Sequence, residues 1–262
     1  LLGSCFTDEI GMRLEADGFE VLRNPFGPLY NPLSILKCLD RAVSGADYTR
    51  NDLIDGPRGY HCLDYASRYS GNDAETILGE INRTMASLRH FLKKKPIAII
   101  TLGSAYVYYL RHNGEVVGNC HKLPAETFSR ELVSADQVFK ATGDIAARLT
   151  LAGATHTIFT VSPIRHLADG LHGNQLSKAT LLLGLDRTLS AAADTSYFPS
   201  YEIMLDDLRD YRFFAADMKH PSETAVDYIY EKFSDAYFTK ECRQAAAMAR
   251  RAYKSSQHRQ IL

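Results

Sequence analysis

The stretch "LLGSCFTDEIGMRLEADG" (residues 1–18) sets the reading of the whole chain. Two apolar residues run into a glycine and two potential nucleophiles, and Ile10 and Leu14, four apart, begin a helical pattern. The order is strand, tight turn, helix. Further apolar strand candidates follow at "PIAIITLG" (96–103), "HTIFTVSP" (156–163) and "YEIML" (201–205). Between them lie helical patterns. The clearest runs from Ala74 to Lys95, where Ile77, Leu78, Ile81, Met85 and Leu88 share a face; others cover 135–150, 176–193 and Pro221 to about Tyr253, with Pro221 suited to a first helical turn. Strands alternating with helices predict an α/β fold around a parallel sheet. "YVYYLRHNGEVVGN" (106–119) differs, because Asn113-Gly114 between two alternating runs reads as the turn of a β-hairpin that decorates the sheet.

Composition narrows the function classes. The 262 residues suffice for one domain with a sizeable core, and the absence of repeats or linkers in the sequence favours a single unit over 1–262, with 254–262 expected as a frayed tail. Thirty Lys and Arg nearly balance 31 Asp and Glu, which gives no field to draw nucleic acid or acidic lipid; a neutral or modestly polar small molecule is the expected partner. The five cysteines are scattered without a C-x-x-C pair, against both a disulfide framework and a zinc ribbon, so a reducing, cytoplasmic setting is expected. No apolar run approaches the ~18 residues of a membrane span. A first residue of Leu rather than Met is read as a lost natural N-terminus. Neither G-x-x-x-x-G-K-[ST] nor G-x-G-x-x-G occurs, so no nucleotide-phosphate loop and no cofactor is implied.

In open α/β sheets ligands bind beyond the carboxyl ends of the strands. Four segments fall there: "GSCFT" (3–7), "LGSAY" (102–106), "SPIRH" (162–166) and "DMKHP" (217–221). A serine or cysteine on a strand-to-helix turn lies near free backbone N–H groups, which favour a developing anion. It still needs a base. Asp217 and His220, three apart on a tight loop, let a carboxylate fix the imidazole tautomer while the other ring nitrogen faces Ser4 or Cys5. Asp169 and His172 form a second D-x-x-H, placed in a Gly-flanked loop better suited to lining a pocket. Arg165 and His166 are candidates to hold a sugar hydroxyl or a carboxylate, and "LDYASRYS" offers Ser67 and Arg68 for the same purpose. His121, His166 and His172 lack a recognised metal spacing and read as polar pocket residues.

The opening Gly3-Ser4-Cys5-Phe6, with Thr7 in place of alanine, resembles the motif that names the GSCFA family. The resemblance continues through "NPFGPLYNP", "ITLGSAYVY", "GNCHKLP", "VSPIRHLADGLHGNQLSKA" and "YFPSYEIMLDDLRDYRFFAADMKHPSE", up to about residue 235. Through that family the chain is similar to the SGNH (GDSL-type) hydrolases, whose last motif is Asp-x-x-His-Pro. The resemblance implies a three-layer, flavodoxin-like fold and acyl-ester chemistry on a small O-acyl group, such as acetyl on a carbohydrate or related metabolite, by hydrolysis or by transfer from an acyl-coenzyme A donor. A binding domain that kept the fold without the chemistry is the alternative. Aligning Gly3 with the glycine of Gly-Asp-Ser-Leu puts the nucleophile at Cys5; aligning serine with serine puts it at Ser4. The oxyanion would be met by amides of the nucleophile turn, by the Gly27 N–H and by a side-chain amide. The superfamily takes that amide from Gly-x-Asn, which here is Gly103-Ser104-Ala105; alanine cannot donate, and Asn119 is the expected substitute.

Overall fold

The computed structural model describes residues 1–56 and 59–259. Four strands, β1 (Leu2–Gly3), β4 (Ile97–Leu102), β8 (His156–Val161) and β9 (Thr195–Phe198), form one parallel sheet in the order β1-β4-β8-β9. Leu2 is paired with Ile100, Ile100 with Phe159, and Phe159 with Tyr197. The two central strands are continuous apolar runs because helices cover both faces. Ile99 and Ile158 pack with Phe6, Ile10 and Leu14 of α1 (Phe6–Ala16) and with Val226, Ile229 and Phe233 of α7 (Glu223–Tyr237). Ile100, Leu102, Phe159 and Val161, one residue out of phase, meet a larger cluster. It draws on α2 (Pro32–Ser44), α3 (Ala74–Leu92), α4 (Ala135–Ala152) and α5 (Gly170–Ala191). The result is the expected three-layer, flavodoxin-like α/β arrangement.

The strand period of two sends alternate side chains to opposite layers. Parallel pairing puts the carboxyl ends of β1, β4 and β8 along one edge, so "GSC", "GSA" and "SPIRH" emerge side by side. The predicted hairpin is present as β5 (Tyr106–Leu110) and β6 (Val116–Val117), antiparallel, with Gly114 at φ +74° in its turn. It belongs to a separate three-stranded sheet completed by β7 (Phe128–Leu132), and a second antiparallel pair is made by β2 (Leu53–Gly56) and β3 (Gly59–Cys62).

Three expectations need correction. "YEIML" is not a strand: it lies in the short α6 (Ser200–Glu202) and the wide helical turn Ile203–Leu208 that follows, and the fourth strand is the preceding "TSYF". The long C-terminal pattern is two helices, α7 and α8 (Lys240–Arg259), broken at Phe238, whose backbone is extended. Pro221 stands before α7, bridged to Phe214, and Ser222 caps the helix by accepting from the Ala225 N–H. Of the expected tail 254–262, the backbone is helical through Arg259; residues 260–262 lie outside the described residues.

Candidate functional site

The first turn of the chain builds the site. Gly3 has φ +140°, and a Cβ there would sit 2.1 Å from the Thr101 carbonyl oxygen, so only glycine lets β1 close on β4 and turn at once. Ser4 is then tied back, its N–H donating to the Thr101 carbonyl at 3.0 Å, and its hydroxyl is fully buried without a hydrogen-bond partner. Cys5 occupies the N-cap of the 11-residue α1 and is half-buried. Sulfur at that position faces the amides of Cys5 and Phe6, which donate to no backbone carbonyl.

The partner loop comes from the other end of the chain. The His220 imidazole Nε2 lies 3.7 Å from Cys5 Sγ, and its Nδ1 meets Asp217 Oδ2 at 2.5 Å. Asp217 Oδ1 accepts the N–H groups of Lys219 (2.9 Å) and His220 (3.0 Å), which folds the loop onto its own carboxylate. That closure forces Met218 to φ +59°, a left-handed conformation uncommon for a non-glycine residue. These amides and the imidazole hold the Asp217 carboxyl well below the usual carboxylate range. A carboxylate on Nδ1 fixes the proton there, so Nε2 is left as an acceptor aimed at the thiol. Burial pushes the Cys5 thiol up from its ordinary value; the Tyr30 hydroxyl and the α1 amides pull the other way and are outweighed.

Tyr30, Gly103, Arg165 and His166 complete the surroundings. Tyr30 is pushed up to about 12 by burial and by its contact with Cys5. Its carbonyl accepts the N–H groups of Gly103 (2.7 Å) and Ser104 (2.8 Å), and its ring meets that of His166 edge-on at 5.3 Å. A Cβ at Gly103 would lie 3.1 Å from the Tyr30 ring and 3.2 Å from His166 Nε2, so glycine lets the two rings converge above the end of β4. His166 Nε2 is buried without a partner, and burial together with the nearby cations Lys178 and Arg130 and with His220 lowers this imidazole to about 4. Arg165 joins the two loops through its N–H to the Lys219 carbonyl (3.2 Å), and its guanidinium lies 4.0 Å over the Phe214 ring.

Other sequence candidates are placed elsewhere. Ser4 does not make the contact with His220: its hydroxyl is fully buried without a partner, and the side chain within reach of Nε2 is that of Cys5. Gly27 is no oxyanion donor, since its N–H is spent on the Asn24 carbonyl at 2.8 Å. Asn119 accepts the His121 N–H on its side-chain oxygen (2.8 Å) and gives its own N–H to the Leu63 carbonyl (2.9 Å), which makes it a turn-former. His121 is a core residue rather than a pocket one. It is buried, stacked on His61 at 4.8 Å, with Nε2 2.8 Å from the Cys62 carbonyl and Nδ1 within 3.4 Å of the Ser67 and Ser70 hydroxyls. That contact also takes Ser67 out of the site, while Arg68 donates to the Asn24 carbonyl. The second D-x-x-H is not a pair: Asp169 is held in a bidentate ion pair by Arg130, and His172 is exposed on the first turn of α5. Among the described residues no group of three His, Cys, Asp or Glu side chains is arranged to hold a metal ion, and no helix is long and apolar enough to cross a membrane.

Sequence reasoning passed over Tyr30 and the buried face of α5. There Asn174 Oδ1 accepts the His166 N–H (2.9 Å), Ser177 Oγ accepts the Ala105 N–H (2.8 Å), and Lys178 Nζ donates to the Gly103 (2.8 Å) and Ser162 (2.7 Å) carbonyls, which ties the loops after β4 and β8. An aromatic within "NPFGPLYNP" offered a faint signal for Tyr30; a helical lysine offered none.

The fold and its edge of loops define a parallel α/β protein with a thiol–imidazole–carboxylate relay at the strand carboxyl ends. The GSCFA family matches residues 1–233, and the chain belongs to it. No curated protein matches the chain, and no solved structure does.

Proposed function

We propose that this protein is an acyl esterase of the SGNH type whose nucleophile is Cys5, acting on a small O-acyl group of a carbohydrate or related metabolite. The observation that carries the reading is the continuous chain Cys5 Sγ–His220 Nε2 (3.7 Å) and His220 Nδ1–Asp217 Oδ2 (2.5 Å) at the mouth of a strand-to-helix turn. In the first step Cys5 sulfur attacks the acyl carbonyl as His220 Nε2 takes the thiol proton. The amides of Cys5 and Phe6 face the oxygen that becomes negative, where each such donor contributes on the order of 10²–10³ in rate. Collapse breaks the carbon–oxygen bond, His220 returns its proton to the leaving alkoxide, and a thioester remains on Cys5. Water, deprotonated by His220, then releases the acid and restores the thiol. Asp217 keeps the imidazole in one tautomer throughout.

His220 and Asp217 are about half exposed, which gives water a path to the thioester and supports hydrolysis. A sulfur nucleophile also supports a second reading, transfer from an acyl thioester donor to an alcohol, because exchange between two thioesters is nearly balanced. Arg165 and His166 would hold polar groups of the substrate beside the relay.

The test is release of acetate from a panel of acetylated sugars and aryl acetates, run with and without acetyl-coenzyme A and an alcohol acceptor. Hydrolysis predicts acetate from the esters alone. Transfer predicts thioester consumption only when the acceptor is present. A folded protein inactive in both arms would leave the binding-domain alternative.

A further inference from the structure

A planar trans peptide holds its N–H and C=O on opposite sides, so whatever grips the Ser4 carbonyl also aims the Cys5 N–H. That carbonyl accepts two donors: the Thr7 N–H at 2.9 Å and the Asn24 side-chain amide, Nδ2, at 3.3 Å. The first is local to the start of α1. The second comes from the segment ahead of α2, 20 residues along the chain.

Asn24 is buried, and its polar atoms are all committed around the turn. Its backbone N–H donates to the Leu1 carbonyl at 2.9 Å, alongside β1, the end strand of the sheet. Pro25 follows and has no N–H to carry a ladder along that edge. Instead the Asn24 backbone turns left-handed, at φ +40°, and its side chain continues the pairing: Oδ1 accepts the Gly3 N–H at 3.0 Å while Nδ2 reaches the Ser4 carbonyl. Nδ2 also donates to Asp8 Oδ2 at 3.0 Å; a carboxylate only accepts, so Asp8 fixes which end of the carboxamide carries hydrogen. The Asn24 carbonyl is held in turn by the Gly27 N–H (2.8 Å) and the Arg68 guanidinium (2.9 Å). Keeping β1 in place would need only the Gly3 contact. The contact with the Ser4 carbonyl is the one that reaches the chemistry, because the N–H on the other end of that peptide belongs to Cys5 and donates to no backbone carbonyl.

We infer that Asn24 is a positioning residue of the Cys5 site: by holding the Gly3 N–H and the Ser4 carbonyl it fixes the plane of the Ser4–Cys5 peptide, and so aims the Cys5 N–H at the oxygen that becomes negative when an acyl carbonyl is attacked. The inference rests on the reading of Cys5 as the nucleophile. Without the carboxamide the Ser4 carbonyl keeps only the Thr7 N–H, and the peptide can rotate about the single bonds that flank it. The oxyanion donor is then lost from its line while the thiol and the imidazole remain.

The test compares two reactions of the same sulfur, mapped by peptide mass at one pH, in the full chain and in Asn24→Gly and Asn24→Ser. Acetylation by para-nitrophenyl acetate builds negative charge on a carbonyl oxygen and needs the aimed amide. Alkylation by iodoacetamide displaces iodide at a saturated carbon and does not, so the ratio of the two rates cancels any change in thiol ionisation. Glycine adopts the left-handed conformation without strain, serine leaves a hydroxyl one atom short of the carboxamide, and thermal unfolding shows which variants are folded. The acetylation-to-alkylation ratio is expected to fall about tenfold or more in both, towards the 10²–10³ that loss of one oxyanion donor costs, with alkylation itself within about twofold of wild type. A ratio unchanged in either folded variant, including one in which both rates fall together, would overturn the inference. If Asn24→Gly does not fold, Asn24→Ser decides. Failure of the underlying reading looks different: wild type itself would be alkylated at Cys5 and never acetylated there, which would overturn both.

Discussion

The ionisation of Cys5 can be worked out from its surroundings and tested directly. The sulfur sits half-buried at the start of α1; the amides of Cys5 and Phe6 and the Tyr30 hydroxyl favour the thiolate, and desolvation outweighs them, so the thiol lies above its ordinary value of 9.0. A thiol at or above that value is at most about 1% thiolate at pH 7. At rest the sulfur is therefore a thiol, and its proton moves to His220 only as the substrate is attacked. Iodoacetamide alkylation at Cys5 should rise about tenfold per pH unit between pH 6 and 9, close to 100-fold from pH 6 to pH 8. Cys38 and Cys62 are buried, so a background with Cys120→Ser and Cys242→Ser isolates the signal. The assay is intact-protein mass after timed exposure. A rate that is already flat between pH 6 and 8, with its midpoint below 7, would mean a preformed thiolate–imidazolium pair and would refute the burial argument.

Asp217→Asn keeps an oxygen for the Lys219 and His220 amides but no longer fixes the Nδ1 proton; kcat/KM should fall by about 10²–10⁴-fold with the melting temperature nearly unchanged, measured by ester hydrolysis and calorimetry. Burial lowers the His166 imidazole to about 4 in the folded protein, against its ordinary 6.5 in the unfolded chain. Between those values the unfolded chain holds the extra proton, so stability falls as pH drops through this window, by up to about 3 kcal/mol, and buried His121 adds in the same direction. Urea unfolding at pH 7 and pH 4 should show that loss, reduced in His166→Gln. Gly3→Ala drives a Cβ into the Thr101 carbonyl and should cost about 3 kcal/mol or more, read from the urea midpoint, because β1 cannot keep its register.

Whether an element is legible in the sequence follows from its physics. β4 and β8 were legible because strands covered on both faces are unbroken apolar runs, and β1 because it ends in Gly-Ser-Cys. β9 was missed because "TSYF" is short and half polar, whereas "YEIML" carries more apolar side chains but follows Pro199 into a helical turn. Of the relay, the contact between Asp217 and His220 is local, but Asp169 and His172 share the same spacing without pairing, so it is the proline and helix after His220 that mark the right pair. The choice of Cys5 over Ser4 could not be read from the sequence, because one residue along a tight turn decides which side chain points to the core, and only the pairing of Gly3 with Thr101 fixes that. Gly27 and Asn119 enter the expected site through the family resemblance, and His121 on residue type. In the fold their polar groups are consumed by turns and by a carbonyl in β3. Lys178 was illegible for the opposite reason: lysine on a helix is by default at the surface, and its burial appears only when α5 is laid against the strand-end loops.

The most direct test of the central claim is the mass of the protein after brief exposure to an activated acetyl ester, on wild type and on Ser4→Ala, Cys5→Ala and His220→Ala. One acetyl adduct, mapped to Cys5, is expected in wild type and Ser4→Ala and is expected to be absent from Cys5→Ala and His220→Ala. An adduct that survives Cys5→Ala, or that disappears in a folded Ser4→Ala, would contradict the claim.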